Sequence, residues 1–245
     1  MNLCTDSLLF ELVDDARIVS VTSLSRDPNL SPFAARAARL AVNHGAVEEV
    51  LAAAPDLVLT DQGSAAYASH LLERVGVEVL AVPIAARFVD YRETLERVAA
   101  RLDATARAAS LLARLDQALA QPAPSPPRSA LVYQPNGFVQ GTDSLMNDVL
   151  RHAGLENVAA RIGLTHGGYL DLERVVLHAP DVLVFSRRSA AAPSLAEAQL
   201  DAPALRALFA RREHPVRRAE LDEALWTCPG SFNAEAVAQL REARP

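Results

Sequence analysis

Residues 47–59 of this chain return, in altered form, as residues 172–184. Both copies hold Glu, Val, Ala, Pro and Asp at the same places and end in an aliphatic run. A shorter motif, Thr-Asp-Ser-Leu at residues 5–8, returns in the same order at residues 142–145. Two repeats in one order predict two lobes of similar build, and clefts between lobes are favoured places for small ligands.

Composition narrows the class of protein. The chain has 245 residues, of which half are hydrophobic and 22% charged, as in ordinary globular domains. Its formal net charge of -6 argues against a general nucleic-acid surface, which needs a basic stripe. No apolar run reaches the roughly 18 residues that a membrane helix requires.

Helix and strand signals alternate along the first part of the chain. A helix over 48–54 is stopped by Pro55, since a residue before proline avoids the helical region, and the aliphatic run after it predicts a buried strand. A helix over 65–75 and a strand over 77–82 follow. Helical spacing then continues from 90 to 121, with a break expected at Asp103.

The second part repeats the alternation after a proline-rich connector at residues 121–128. We therefore predict an α/β fold of two α/β lobes with mainly parallel sheets, joined by a long helical connection. The expected boundaries are residues 1–89 for the first lobe, 90–121 for the connecting helical segment and 122–245 for the second lobe. Predicted elements of the second lobe are strands near 130–134, 182–185 and 216–221 and helices near 144–153, 172–178, 202–210 and 234–242.

The second lobe starts with a strand for which the first lobe has no counterpart in the sequence. Residues 130–133 form a clear strand ahead of the repeated motif at Thr142, whereas Thr5 has only four residues before it. No basic region followed by an apolar run is present, so the sequence shows no signal peptide. We expect that a first strand, and an export signal before it, precede Met1 in the gene.

Cys4 and Cys228 are too far apart in sequence for a local zinc motif. We interpret them first as two small buried apolar side chains. A disulfide that ties the first lobe to the second stays open as an alternative, because the sequence does not reveal its geometry.

The chain lacks the patterns of a catalytic centre, such as a nucleophile elbow or a phosphate-binding glycine loop. Its six histidines are scattered, although His44 and His166 fall in loops ahead of the two repeats. We expect no catalytic residue, no cofactor and no bound metal ion.

Several side chains follow strands and are candidates to line a ligand site, because open α/β sheets bind ligands beyond the carboxyl ends of their strands. For Phe138, core packing is an equally good interpretation. Trp226 precedes a Pro-Gly turn, which favours a surface position. The ligand-binding candidates are Thr5, Arg26, Tyr67, Arg87, Asn136, Phe138, Tyr169 and Trp226.

A Glu, six residues, then Pro-Asp and an aliphatic strand occur at Glu48 and again at Glu173. Together with the stretch Gly-Leu-Glu-Asn at 154–157, this duplication resembles the periplasmic substrate-binding proteins of iron-siderophore and vitamin B12 ABC importers. The resemblance implies a class III binding-protein fold with the ligand in a shallow groove between the lobes. It also implies that Glu48 and Glu173 dock onto arginines of the membrane permease.

The chain departs from the vitamin B12-binding members of that family. Those proteins carry a Trp six residues before each docking Glu, where this chain has Val42 and Gly167. A ferric siderophore is therefore the first expected ligand, with the corrinoid cobalamin or haem next. Arg26 and Arg87 are the candidate partners for an anionic chelate.

The sequence thus predicts an exported, monomeric, non-enzymatic binding protein that delivers a metal chelate to an ABC permease and its ATPase. It has no expected nucleic-acid partner. Two alternatives stay open. One is a cytoplasmic α/β enzyme acting on a small molecule, and the other is a carrier of free metal ions with similar architecture, which needs three or four converging ligands.

Overall fold

The computed structural model describes residues 1–63, 66–83, 85–187, 199–211 and 215–244. They form two compact units. Unit 1 comprises Met1–Asp116 with Thr227–Phe232, and unit 2 comprises Gln117–Trp226 with Asn233–Pro245. The short segment 227–232 thus belongs to unit 1 although the chain on either side of it belongs to unit 2.

Unit 1 contains two pairs of parallel strands among its described residues. Strand β1 pairs with β2, and β3 pairs with β4 with Leu57 opposite Glu78. The elements in chain order are α1 (Leu3–Leu12), β1 (Val21–Thr22), α2 (Ala34–Ala37), β2 (Val42–Asn43), α3 (Val47–Ala52), β3 (Leu57–Asp61), α4 (Ala66–Arg74), β4 (Glu78–Val82), α5 (Phe88–Arg101) and α6 (Thr105–Leu119), which runs into unit 2.

Unit 2 is built on a four-stranded parallel sheet in the order β10-β9-β5-β7. A two-residue antiparallel pair, β6 with β8, lies outside that sheet. The elements are β5 (Arg128–Val132), β6 (Phe138–Val139), α7 (Leu145–His152), β7 (Leu155–Asn157), β8 (Gly168–Tyr169), α8 (Leu172–His178), β9 (Val182–Arg187), α9 (Pro203–Phe209), β10 (Arg217–Asp222) and α10 (Asn233–Glu242). The predicted α/β architecture with mainly parallel strands is confirmed.

The long repeat folds the same way in both units. Helices α3 and α8 are each followed by an alanine with positive φ, Ala54 at 48° and Ala179 at 33°, and then by a proline. Proline keeps the preceding residue out of the right-handed helical region, so the chain turns and enters the next strand. The helix stop predicted at Pro55 is confirmed.

The predicted break in the helical segment 90–121 is also confirmed. Asp103 has a φ of 54° and separates α5 from α6. Aspartate tolerates this left-handed conformation better than most residues, because its short side chain hydrogen-bonds locally.

Helix α1 begins with a capping box. Asn2 is the N-cap, and its side chain accepts a hydrogen bond from the Thr5 nitrogen at 2.9 Å. The Thr5 hydroxyl accepts in turn from the Asn2 backbone nitrogen. After α1, a 3-10 turn covers Asp15–Arg17, and strand β1 is limited to Val21–Thr22.

Cys4 and Cys228 form a disulfide, so the interpretation as two unpaired buried side chains is wrong. Their Cα atoms lie 5.2 Å apart, well within the distance a disulfide requires. Because segment 227–232 belongs to unit 1, the bond joins this segment to α1 inside that unit. The pairing could not be predicted from local sequence, because the two residues are 224 positions apart.

The core of unit 2 forms around the middle of its sheet, where Leu131 of β5 and Leu183 of β9 are fully buried. Unit 1 has a smaller cluster around Val50, Val58 and Leu72. Within the described ranges, no helix combines the length and the apolar character needed to cross a membrane.

Candidate functional site

Unit 1 holds a mainly apolar cavity of about 270 Å³ at the carboxyl ends of β3 and β4. Its wall is completed by the first turns of α1, by α5 and by the disulfide-linked segment around Thr227 and Pro229. In parallel α/β sheets this edge is where ligands bind. The Cys4–Cys228 bond therefore fixes one wall of the cavity against another.

A few polar groups face this apolar space. Asp61 ends β3, is 5% exposed, and accepts hydrogen bonds from the Asn2 side chain and from the Gly63 nitrogen. Thr94 on α5 is 4% exposed, and its hydroxyl has no hydrogen-bond partner among the described residues. A buried hydroxyl without a partner carries a free-energy cost of about 1–3 kcal/mol, so Thr94 offers a ready contact to a bound molecule.

Beside the cavity, a buried carboxylate holds unit 1 together. Glu11 on α1 accepts hydrogen bonds from the Tyr91 hydroxyl at 2.8 Å and from the Ser231 nitrogen at 2.8 Å. Burial raises the pKa of Glu11 above its usual value although these hydrogen bonds oppose the rise. Burial and the neighbouring Glu11 also raise the pKa of Tyr91, so its hydroxyl stays protonated and donates.

The sequence-predicted residues of unit 1 occupy different surroundings. Thr5 lines the cavity, but its hydroxyl is engaged in the capping box. Tyr67 on the first turn of α4 is 78% exposed, just beyond the carboxyl end of β3. Arg26 donates to the carbonyl oxygens of Ala37 and Leu40.

Arg87, the other predicted cation, caps the start of α5. It pairs with Asp90 at 3.0 Å, and this contact holds the pKa of the Asp90 carboxyl below its usual value, against the opposing effect of burial. Both arginines therefore have protein partners for their guanidinium groups.

In unit 2, the β6–β8 pair brings two predicted aromatic residues together. The rings of Phe138 and Tyr169 meet edge to face with their centroids 5.5 Å apart, and Tyr169 is 75% exposed. Asn136 lies in the turn before β6 with a φ of 62° and is exposed. No strand signal in the sequence indicates this pair, because each strand has only two residues.

Gly167 lies directly against the Phe138 ring. A Cβ atom on Gly167 would lie 2.3 Å from the Phe138 Cζ atom, far inside van der Waals contact. The Phe138 ring thus occupies the space that a tryptophan at residue 167 would need.

Trp226 is buried, so the predicted surface position is wrong. Its side chain is 7% exposed, and its indole nitrogen has no hydrogen-bond partner among the described residues. The Pro-Gly turn three residues later is real, but Leu225 and Trp226 pack inward before the chain reaches it.

His44, His166 and the repeated glutamates lie on the surface. His44 pairs with Glu49 at 3.1 Å and lowers the pKa of that carboxyl, and His166 lies 3.9 Å from Asp143. Glu48 and Glu173 are both exposed at the second residue of their helices, α3 and α8. In the described part of the chain, no three His, Cys, Asp or Glu side chains are grouped to hold a metal ion.

The sequence profile of the periplasmic binding protein family matches residues 1–220. The chain belongs to this family. Its members are substrate-binding components of ABC transporters that carry iron, haem or vitamin B12 chelates, and they are transport proteins rather than enzymes. The family works outside the cytoplasm with a permease and an ATPase.

Solved structures agree with this fold. The periplasmic haem-binding protein HutB of Vibrio cholerae superposes with a TM-score of 0.77 at 19% identity, covering 98% of this chain and 95% of that one. The vitamin B12-binding protein BtuF of the same organism gives 0.64 at 16% identity, covering 97% and 91%. A Fe3+-hydroxamate transport protein of Saccharomonospora viridis gives 0.60 at 26% identity, covering 80% and 71%. No curated protein sequence matches the chain.

Sequence reasoning missed Asp61, Thr94 and the wall around Thr227. Asp61 could have been predicted from the sequence, because it ends a predicted strand and ligands bind at the carboxyl ends of such strands. Thr94 gave no signal, because a single threonine inside a regular helical pattern looks like any other half-buried position.

Proposed function

We propose that this periplasmic binding protein captures a flat iron chelate, haem before a ferric siderophore, and delivers it to an ABC permease. The observation that carries the proposal is the exposed phenol of Tyr67 on the first turn of α4. This turn follows β3, whose last residue, Asp61, lines the apolar cavity. A phenolate is a hard oxygen donor that suits ferric iron and serves as an axial haem ligand in other proteins.

The apolar character of the cavity wall supports a porphyrin. Leu3, Leu8 and Val82 line the space, and such side chains pack against a hydrocarbon ring system rather than against the polar surface of a hydrophilic siderophore.

The arginines argue against the siderophore that the sequence favoured. An anionic chelate needs cations to offset its charge, and the guanidinium groups of Arg26 and Arg87 already hydrogen-bond to protein atoms. Haem carries two propionates, but most of its surface is apolar. It therefore needs fewer cationic side chains to offset its charge.

Export and permease docking complete the proposal. The Cys4–Cys228 disulfide forms in oxidising compartments such as the periplasm and is rare in the cytosol. The exposed Glu48 and Glu173 each offer a carboxylate to arginines of a permease, where charge complementarity speeds encounter and fixes orientation.

Titration of the purified protein with haem, cobalamin and a ferric hydroxamate tests the ligand. We expect a shifted Soret band and saturation with haem. Tyr67→Phe keeps the ring and removes the donor oxygen, so it should weaken haem binding about tenfold or more, equivalent to about 1.4 kcal/mol.

Tyr169→Phe, in unit 2, is the matched control, because it removes the hydroxyl of a similarly exposed tyrosine. It should bind haem as the unchanged protein does. Saturable binding of the hydroxamate without any haem binding would show that the ligand is a siderophore rather than haem. An unchanged haem spectrum in Tyr67→Phe would show that Tyr67 is not the iron ligand.

A further inference from the structure

Helix α8 of unit 2 packs on the core along one side. Val175 is fully buried, and Leu172 and Ala179, at the two ends of the helix, pack against the same core cluster. Leu205 and Leu208 of α9 belong to that cluster. Because a helix completes a turn every 3.6 residues, the three α8 residues form one stripe along the inward side of the helix.

Leu177 lies on the opposite side of α8. It follows Val175 by two residues, which places it about 200° further around the helix axis. Its side chain is 79% exposed, more than any other large hydrophobic side chain in the described part of the chain. Glu173 precedes Leu177 by four residues, and residues at this spacing are neighbours on a helix surface. Leu177 and Glu173 therefore share one outward face.

Unit 1 has the same face without the leucine. The long repeat aligns Glu48 with Glu173 and Ala52 with Leu177. Glu48 and Ala52 of α3 are both exposed, so the two helices turn these aligned positions outward in the same way. The repeated helix therefore does not need a leucine at this position in order to fold.

Leu177 also contributes little to the packing of unit 2. A side chain that remains 79% exposed buries only a small apolar area, so most of the free energy that burial of a leucine provides is available to a partner. A single exposed leucine is common on protein surfaces and carries no meaning by itself. The informative observation is its position beside a glutamate that both copies of the repeat retain.

Glu173 determines which kind of partner fits this face. No ion pair joins its carboxylate to another residue within the described ranges. A carboxylate next to an apolar side chain fits a surface that presents a cation beside an apolar residue. The apolar contact excludes water from the charge pair, and a pair shielded from water is stronger than an exposed one.

A second copy of this chain fits the face poorly. In a two-fold symmetric contact the same patch meets itself, so Glu173 of one copy would approach Glu173 of the other. Like charges that face each other across an interface are unfavourable. A partner of different sequence, with a cation at this place, is therefore favoured.

We propose that Leu177 is an apolar anchor through which unit 2 docks on the permease, beside a pair between Glu173 and a cation of the permease. The inference rests on the docking role proposed for Glu173, and it does not depend on the identity of the ligand. Because Ala52 stands at the aligned position, unit 1 has no such anchor. The permease surface that receives unit 2 therefore carries an apolar side chain next to its cation.

Photo-crosslinking tests this contact directly. The full chain, produced in its own host cells, carries benzoylphenylalanine in place of Leu177, Arg174 or Val75. Val75 is the matched control, because it is an aliphatic residue of unit 1 that is 61% exposed. After irradiation we expect positions 177 and 174 to give an adduct with the permease, identified by mass spectrometry as a protein with several transmembrane helices. Position 75 should give none.

Competition measures the strength of the anchor. Unlabelled protein is added to membranes from these cells, and the concentration that halves the adduct at position 174 is determined. This concentration should rise about tenfold for Leu177→Ala, as for an apolar residue at the centre of an interface, and stay unchanged for Val75→Ala. Both variants should keep the Tm of the unchanged protein, because both side chains are exposed.

Each failure has a distinct meaning. A missing adduct at position 177, or equal competition by Leu177→Ala and the unchanged protein, would overturn the anchor. An adduct at position 174 would in that case preserve the docking role of Glu173, whereas no permease adduct at either position would overturn both. An adduct between two copies of the chain at position 177 would overturn the permease as the partner of this face.

Discussion

The short repeat places the same residues in two different environments. Asp6 in unit 1 is 3% exposed and accepts hydrogen bonds from the Thr22 nitrogen, the Thr22 hydroxyl and the Ser25 hydroxyl at 2.7–2.8 Å. Asp143 in unit 2 is exposed, and its side chain lies near the similarly exposed His166. One carboxylate organises a buried turn, and the other faces solvent.

The difference arises because the two helices begin at different positions of the repeated motif. Helix α1 begins at Leu3 with Asn2 as its cap, so the motif lies inside the helix. Helix α7 begins at Leu145, and Ser144 of the motif is itself the cap, accepting from the Asn147 nitrogen at 3.2 Å. A repeat therefore preserves the order of elements more faithfully than it preserves the role of a residue.

Removing the disulfide should give the largest difference between the units. Cys4→Ser with Cys228→Ser should cost about 2–5 kcal/mol, because the bond closes a very long loop in the unfolded chain. Hydrogen exchange should speed up in α1 and in residues 227–232, while the strands of unit 2 keep their protection. Dithiothreitol should reproduce the loss in the unchanged protein and have no effect on the double variant.

Equal loss of protection in β5 and β9 would contradict this prediction. It would mean that the two units unfold as one cooperative body and that the bond stabilises both.

The matched pair Asp6→Ala and Asp143→Ala tests the repeat directly. Asp6→Ala leaves three donors of Thr22 and Ser25 without their acceptor, and we expect a loss of about 3 kcal/mol in the free energy of unfolding. Asp143→Ala should change it by about 0.5 kcal/mol or less, since the site is exposed. Urea denaturation of both variants measures the values, and similar losses would refute the contrast.

The long repeat predicted more of the fold than the short one. The prolines at 55 and 180 end their helices by local sterics alone, so those boundaries and the strands behind them were readable from the sequence. The break at Asp103 was readable for a similar reason. The disulfide and the β6–β8 pair were not, because both join residues whose contact depends on the folded chain and not on their neighbours in sequence.

Glu11, in unit 1, makes the stability of the folded protein depend on pH. Burial raises its pKa in the folded protein above the usual value of 4.5, so the folded state holds the proton more tightly than the unfolded state does. The stability that this provides is fully present below the usual pKa and is lost as the pH rises through the raised value.

Glu11→Gln does not titrate, so the stability of the unchanged protein minus that of the variant should fall as the pH rises from about 4 to 7. We expect a change on the order of 1 kcal/mol, measured by urea denaturation at each pH. Glu96→Gln, on the exposed side of α5, is the control for the change from carboxylate to amide. A difference that rises with pH would show that the hydrogen bonds from Tyr91 and Ser231 outweigh burial.

The candidate site was less predictable than the fold. Tyr67, Phe138 and Tyr169 follow predicted strands, and the rule that ligands gather at such ends selected them. The engagement of Arg26 by the carbonyl oxygens of Ala37 and Leu40 was hidden, because those partners depend on the path of the folded chain. The wall supplied by residues 227–229 was hidden because it comes from the far end of the chain.

The smallest effect on the protein itself is expected where the two units are most alike. Glu48 and Glu173 hold the same exposed position in α3 and α8, and each loses only a favourable helix-dipole interaction of about 0.3–1 kcal/mol when changed to Ala.

If these carboxylates dock the permease, the double variant should bind its ligand normally yet fail to support uptake in cells. Glu49→Ala with Arg174→Ala changes their neighbours and should leave uptake intact. Weakened ligand binding in the double variant would place the glutamates in the ligand site, and normal uptake would leave them with the helix dipole as their sole role.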